Sequence, residues 1–135
     1  MLLIDTNVLL AAADTSAPEH LRCAALLDER TDLLVTTQVA VECSWMIESR
    51  LGPSAEAAFV ASIATGELER IDLTGTDWVR CAELIATYAD LGLGLLDASI
   101  VAVAERLQLA TIATMNHRDF TVVRPAHVDA FELIP

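Results

Sequence analysis

A chain of 135 residues suffices for one domain with a real hydrophobic core and is too short for two ordinary ones, so residues 1–135 are read as a single domain. With 54% hydrophobic and 21% charged residues it is too apolar for intrinsic disorder and fits a compact fold with much buried helix. Eight arginines, no lysine and twenty acids give a net charge of −12, which excludes strong non-specific adsorption to nucleic acid or to an anionic membrane.

The apolar run Leu2–Ile4 predicts a first strand, and Asp5-Thr6-Asn7 both ends it and caps a helix over residues 8–13. Pro18 suits the first turn of a second helix that runs to residue 30. Residues 33–35 form the next strand candidate, and Thr36 and Thr37 are candidate caps for a helix over 38–50, closed by Gly52-Pro53. A helix over 54–65 stops at Gly66, residues 68–73 read as a third strand, and 77–88 as a long amphipathic helix. The Gly-containing stretch 91–94 is a flexible connection. Residues 97–107 are apolar nearly all round, which requires a central helix. Residues 109–114 supply a fourth strand and Val122-Val123 a candidate fifth. Strands separated by helices of this length predict an α/β fold: a parallel sheet of four to five strands with helices on both faces.

Cys23, Cys43 and Cys81 are odd in number, widely spaced and flanked by apolar residues, so buried reduced thiols are expected, which points to a reducing cytoplasm. The N-terminus has no basic region before its apolar stretch and carries Asp5 and Asn7 within it, a poor signal peptide. No apolar run reaches the roughly eighteen residues that a bilayer demands, and Asp97 breaks the longest, so no membrane association is expected.

Three acids stand inside stretches that otherwise read as core. Asp5 closes Leu2-Leu3-Ile4, Glu42 interrupts Val39-Ala40-Val41, and Asp97 splits Leu95-Leu96 from Ala98-Ser99-Ile100-Val101. Burying an uncompensated carboxylate is very costly, and no Arg neighbours any of the three in sequence. In an open parallel sheet the ligand crevice lies beyond the carboxyl ends of the strands, and Asp5, Glu42, Asp97 and Asn116 all fall there. Two carboxylates about 5 Å apart repel by roughly 3 kcal/mol at an effective dielectric near 20, so such a cluster takes up protons or a cation. A divalent metal that favours oxygen ligands, Mg²⁺ or Mn²⁺, is the economical choice. Each acid also has a plain structural reading: Asp5 as a helix cap, Asp97 as an N-cap or first-turn acid, Glu42 as part of a solvated stripe with Gln38 and Ser49. Thr6 and Thr114 suit hydrogen bonds to a carboxylate or a bound water, or serve as cap and strand-end residues. Arg118 is placed to meet a phosphate or simply to be solvated. A phosphoacceptor domain would need a Lys, an Asp-nucleophile phosphatase an acid where Asn7 stands, and a phosphate loop a Gly pattern that is absent.

Taken in order, Asp5-Thr6-Asn7-Val8-Leu9, Val41-Glu42-Cys43, Leu96-Asp97-Ala98-Ser99-Ile100 and Thr114-Met115-Asn116-His117-Arg118-Asp119-Phe120 resemble the successive motifs of a PIN domain. Over essentially its whole length the chain resembles the small toxin nucleases of VapBC toxin–antitoxin systems. The resemblance implies a PIN-like three-layer α/β/α sandwich and a Mg²⁺- or Mn²⁺-dependent endoribonuclease that cuts tRNA or rRNA to silence translation. It also implies a homodimer and a VapB-type antitoxin whose C-terminal segment blocks the crevice. By position Asp5, Glu42 and Asp97 would be the metal ligands, and Asn116 occupies the fourth acidic place, with Asp119 nearby. A catalytically inactive module that only binds antitoxin or RNA is the alternative. Given the acidic balance, RNA selectivity is expected from shape and exposed bases more than from charge.

Overall fold

The computed structural model describes residues 1–135. In chain order the elements are β1 (Leu2–Ile4), α1 (Thr6–Ala13), α2 (His20–Asp28), β2 (Leu33–Thr36), α3 (Thr37–Leu51), α4 (Pro53–Ala64) and β3 (Glu69–Ile71). They continue with α5 (Gly75–Thr87), a 3₁₀ turn (Ala89–Leu91), α6 (Leu95–Leu107), β4 (Thr111–Ala113), α7 (His117–Val122) and β5 (Glu132–Ile134). The five strands form one sheet in the order β3-β2-β1-β4-β5, with every pairing parallel. Central β1 aligns Leu3 with Leu34 on one side and with Ile112 on the other.

Every residue of β1 and β2 is buried, whichever face its side chain points to. That requires helices on both faces of the sheet, the expected three-layer arrangement. The edge strands β3 and β5 begin with the exposed Glu69 and Glu132, as suits strands with one free side. Helix α6 is buried continuously from Ala98 to Ala104, which explains its lack of a polar face. On its outer side Arg80 of α5 reaches Glu105 with Nε and Nη2 at 2.8 and 2.9 Å, and Arg106 Nε reaches Asp77 at 2.9 Å. These two ion pairs fix α5 along α6. All three cysteines are free and buried. No helix is long and apolar enough to cross a membrane.

Two helices begin directly where a strand stops. Asp5 caps α1 and Thr36 caps α3, the latter accepting from the Val39 N–H at 3.2 Å. β1 and β2 therefore deliver helix starts to one edge of the sheet, and α7 begins at that edge with its cap, Asn116, two residues beyond Thr114. Gly52, at φ +91°, makes the corner between α3 and α4, a conformation that favours glycine.

Val122-Val123 is not a strand. Val122 ends α7, which Asn116 starts by accepting from the Asp119 N–H at 3.3 Å, and the fifth strand lies ten residues further on at Glu132–Ile134. Phe120 and Val123 are wholly buried while Val122 is exposed, so this segment anchors by one helical face. Helix α2 likewise starts at His20 rather than at Pro18, after a turn in which Ser16 donates to Asp14.

Candidate active site

The carboxyl edge of the sheet opens into a cleft of about 700 Å³ whose lining includes Asp5, Thr6, Asn7, Glu42, Asp97 and Asn116. Four separate parts of the chain meet there: the β1–α1 junction, the middle of α3, the first turn of α6 and the start of α7.

Asp5, 4% exposed, is held on every side by neutral donors. Its Oδ1 accepts from the Thr6 N–H at 2.7 Å, and its Oδ2 from Thr114 Oγ1 at 2.8 Å and Asn7 Nδ2 at 3.0 Å. Asp5 is thus a helix cap, and it also faces the cleft. Thr6 turns its hydroxyl to Glu42, donating to Oε2 at 3.0 Å, so the side chain after the cap orients an acid of α3. Asp97, half-buried in the first turn of α6, makes no hydrogen bond and no ion pair through its carboxylate. Thr114 is buried and, besides donating to Asp5, accepts from the Asn116 N–H at 3.0 Å.

The fourth corner is a pair. Asn116 lines the cleft, and its Nδ2 donates to Asp119 Oδ2 at 3.0 Å. The other Asp119 oxygen is buried with no hydrogen-bond donor, Arg118 Nε standing off at 3.8 Å. The Arg118 side chain itself is 81% exposed.

Two contributors escaped the sequence reading. Asn7 closes the β1–β4 junction: its Nδ2 serves Asp5 while its Oδ1 accepts from the Met115 N–H at 3.0 Å. The signal was an amide two residues after the strand-end acid, there taken only as part of a cap. Arg50, from the last turn of α3, also lines the cleft, and nothing local to its sequence marks it.

Burial and like charges set the electrostatics. The Asp97 carboxyl is pushed up to about 7 by desolvation first and then by Asp5, Asp119 and Glu42. Asp119 therefore acts on the same space as the other three acids. Asp5 is also raised by burial, an effect its three hydrogen bonds partly offset and Glu42 reinforces. Burial first, and then Glu42 and Asp5, drive the Cys43 thiol up to about 12, so it stays protonated at neutral pH.

No three Asp, Glu, His or Cys side chains stand ready-formed around an ion. Asp5, Glu42 and Asp97 line one cleft without forming such a cluster. The donor set still suits a hard divalent cation. It is all oxygen, and at Asp97 it lacks a neighbouring guanidinium while burial and the other acids raise that carboxyl toward neutrality. Such a cation is commonly held by one or two carboxylates with water completing the shell.

A five-stranded parallel α/β/α sheet with an acidic cleft at its carboxyl edge is the architecture of the PIN domain, and the PIN domain model matches residues 2–124. The chain belongs to that family. Ribonuclease VapC26 of Mycobacterium tuberculosis (strain ATCC 25618 / H37Rv) is 31% identical over 135 residues, covering 99% of this chain and 100% of that protein. Within the family the chain is of the VapC type. Among solved structures, M. tuberculosis VapC20, described as a sarcin–ricin loop cleaving toxin, superposes with a TM-score of 0.80 at 16% identity, over 96% of this chain and 99% of that one. The DNA-bound VapBC complex of Salmonella typhimurium gives 0.71 at 23% identity, over 98% of each chain.

Proposed function

We propose that the protein is a Mg²⁺- or Mn²⁺-dependent endoribonuclease, the toxin of a VapBC pair, which hydrolyses phosphodiester bonds in tRNA or rRNA and so stops translation. One observation carries this reading: Asp5, Glu42 and Asp97 share a cleft in which no Arg pairs with Asp97, whose carboxyl burial and the neighbouring acids push up to about 7. The similarity to a named ribonuclease supports the reaction class.

Asp5, Glu42 and Asp97 are the proposed metal ligands, with the Asn116–Asp119 pair at the fourth corner. A bound divalent cation would supply Lewis-acid activation of a water and charge neutralisation at the scissile phosphate. The chain's own residues supply position. Thr6, Asn7 and Thr114 fix Asp5, and the Thr6 hydroxyl holds Glu42, so the two carboxylates keep one relative orientation. Such support of a ligand by its own hydrogen-bond partners is what keeps a reactive arrangement within tolerance. Arg50 at the cleft wall and the solvated Arg118 are the cations placed to meet substrate phosphates. As partners we infer a VapB-type antitoxin, since neighbours of the fold are VapBC complexes, and a second copy of the chain. The second copy is supported by apolar side chains left in solvent on α5, where Trp78, Val79 and Ile85 are 48%, 61% and 36% exposed.

A catalytically idle module that binds antitoxin or RNA is the second reading, favoured by an amide, Asn116, where a fourth acid would stand. Cleavage of a fluorogenic oligoribonucleotide separates the two. Mn²⁺-dependent cleavage that is lost in EDTA and in Asp5→Asn is the expected result; an inert wild type with Mg²⁺ and with Mn²⁺ establishes the second reading instead.

A further inference from the structure

A second concavity, about 560 Å³, shares Glu42 and Leu96 with the acidic cleft and is otherwise lined by Thr37, Gln38, Val41, Trp45 and Leu95. Residues 38, 41, 42 and 45 recur at three- and four-residue spacing, so they form one stripe of α3, and Leu95-Leu96 at the start of α6 face it. Trp45 is 68% exposed and Val41 65%, an unusual placement for such side chains on a helix that packs its other face into the core. Gln38 Oε1 is buried with no hydrogen-bond donor.

This shelf is mostly apolar, has Glu42 at its border with the cleft and no basic residue in its lining, so a phosphate has no partner there. A planar neutral group with a polar edge fits it. Gln38 Oε1 lies under the shelf without a donor, so a rotation of its side-chain amide is needed to turn the carbonyl to an occupant; an exocyclic amino group would then supply the missing donor, which an apolar helix or side chain cannot. Glu42 and Trp45 are three residues apart on α3, which puts their Cβ atoms about 5–6 Å apart. A base next to a phosphate held at the acids therefore reaches the indole. With a net charge of −12, phosphate contacts alone give RNA little purchase.

We propose that this shelf is a nucleobase subsite, in which an unpaired base flanking the scissile phosphate stacks on Trp45 and its amino edge is read by Gln38. The proposal rests on the ribonuclease reading and adds to it a preference for adenine, cytosine or guanine over uracil at one flanking position.

Two measurements test it. In a Trp78→Phe, Asp97→Asn protein, where Trp45 is the remaining indole and cleavage is disabled, a tetraribonucleotide should quench the fluorescence saturably. Its abasic counterpart of equal charge should not. Equal quenching by both, or by neither, overturns the subsite. In steady-state cleavage of a short oligoribonucleotide, Trp45→Ala should raise KM about tenfold with kcat within about twofold, the pattern of lost base stacking. Gln38→Leu should flatten the preference against uracil. An unchanged KM and base order in Trp45→Ala overturns the subsite and leaves the ribonuclease reading intact, and loss of dimerisation with that unchanged KM assigns the shelf to a protein partner. If the wild type cuts no RNA with either metal, the ribonuclease reading itself fails, and the quenching result still decides whether bases stack on Trp45.

Discussion

Replacing Asp97 by Asn should stabilise the metal-free protein, although Asp97 is a proposed ligand. Its carboxylate has no hydrogen bond and no cation, and burial with three acids around it pushes it up to about 7 from 3.8. That change corresponds to about 4 kcal/mol at 1.36 kcal/mol per tenfold, and solvent screening of a half-buried group leaves about 2 kcal/mol. The sign follows from proton linkage. Between 3.8 and about 7 the folded protein binds more protons at this site than the unfolded chain does, so its contribution lowers stability as pH rises through that window. The penalty is complete above about 7 and absent below 3.8. For 135 residues, about 2.1 cal/mol/K of unfolding entropy per residue makes 2 kcal/mol worth about 7 °C. Calorimetry in EDTA should therefore show Asp97→Asn melting about 7 °C above wild type at pH 8, with the difference nearly gone at pH 4. Adding Mn²⁺ at a hundred times its dissociation constant should raise the wild type by about 9 °C, from about 2.7 kcal/mol of linkage, and the variant far less. A variant no more stable than wild type at pH 8 in EDTA, or one gaining as much from Mn²⁺, would refute the reasoning.

Salt dependence reports how few phosphates the chain neutralises. With Arg50 and Arg118 as the proposed phosphate contacts, the logarithm of the affinity for single-stranded RNA should fall against that of salt with a slope of about −1.4, from two contacts at 0.7 each. A filter-binding slope steeper than about −4 would mean a basic surface that these arginines do not provide. The exposed stripe of α5 predicts the assembly state: Trp78→Glu should convert a dimer to a monomer in light scattering without lowering the melting temperature of the folded chain by more than a few degrees, because Trp78 is 48% exposed. A Trp78→Glu protein that remains dimeric places the second copy elsewhere.

The alternation of strand and helix was legible because β1, β2 and β4 are short apolar runs closed by cap residues, and α6 has no polar face. The meeting of Asp5, Glu42 and Asp97 in one cleft followed from placing each acid at a strand end or helix start, which parallel topology gathers on one edge. Glu42 sits in the second turn of α3, so its orientation rests on the Thr6 hydroxyl, a partner 36 residues away. Asn7 and Arg50 were not legible as cleft residues, since their roles depend on where β4 and the end of α3 pack. The segment after β4 misled for a local reason: two consecutive valines favour strand, but Asn116 with Asp119 three residues on is an N-terminal cap, and buried Phe120 sets a helical face. β5 follows a nine-residue connection and has only three residues, too short to show a period.

The donors that hold the acids are, with one distant exception, uncharged. Backbone Thr6, Thr114 and Asn7 serve Asp5, the Thr6 hydroxyl serves Glu42, and Asn116 serves Asp119; the arginine nearest Asp119 stays at 3.8 Å. A guanidinium in their place would satisfy the carboxylates fully and compete with any other cation, and removing it later would leave a buried charge unpaired. Neutral donors fix direction without supplying charge, so Asp5 and Glu42 are oriented yet still uncompensated. The close ion pairs of this chain lie elsewhere, among them Arg106 with Asp77 and Arg80 with Glu105 at the C-terminal end of α6. On the proposed reading that separation is functional: Arg80 and Arg106 stabilise the scaffold away from the cleft, and the cleft acids keep a charge deficit that a divalent metal can fill.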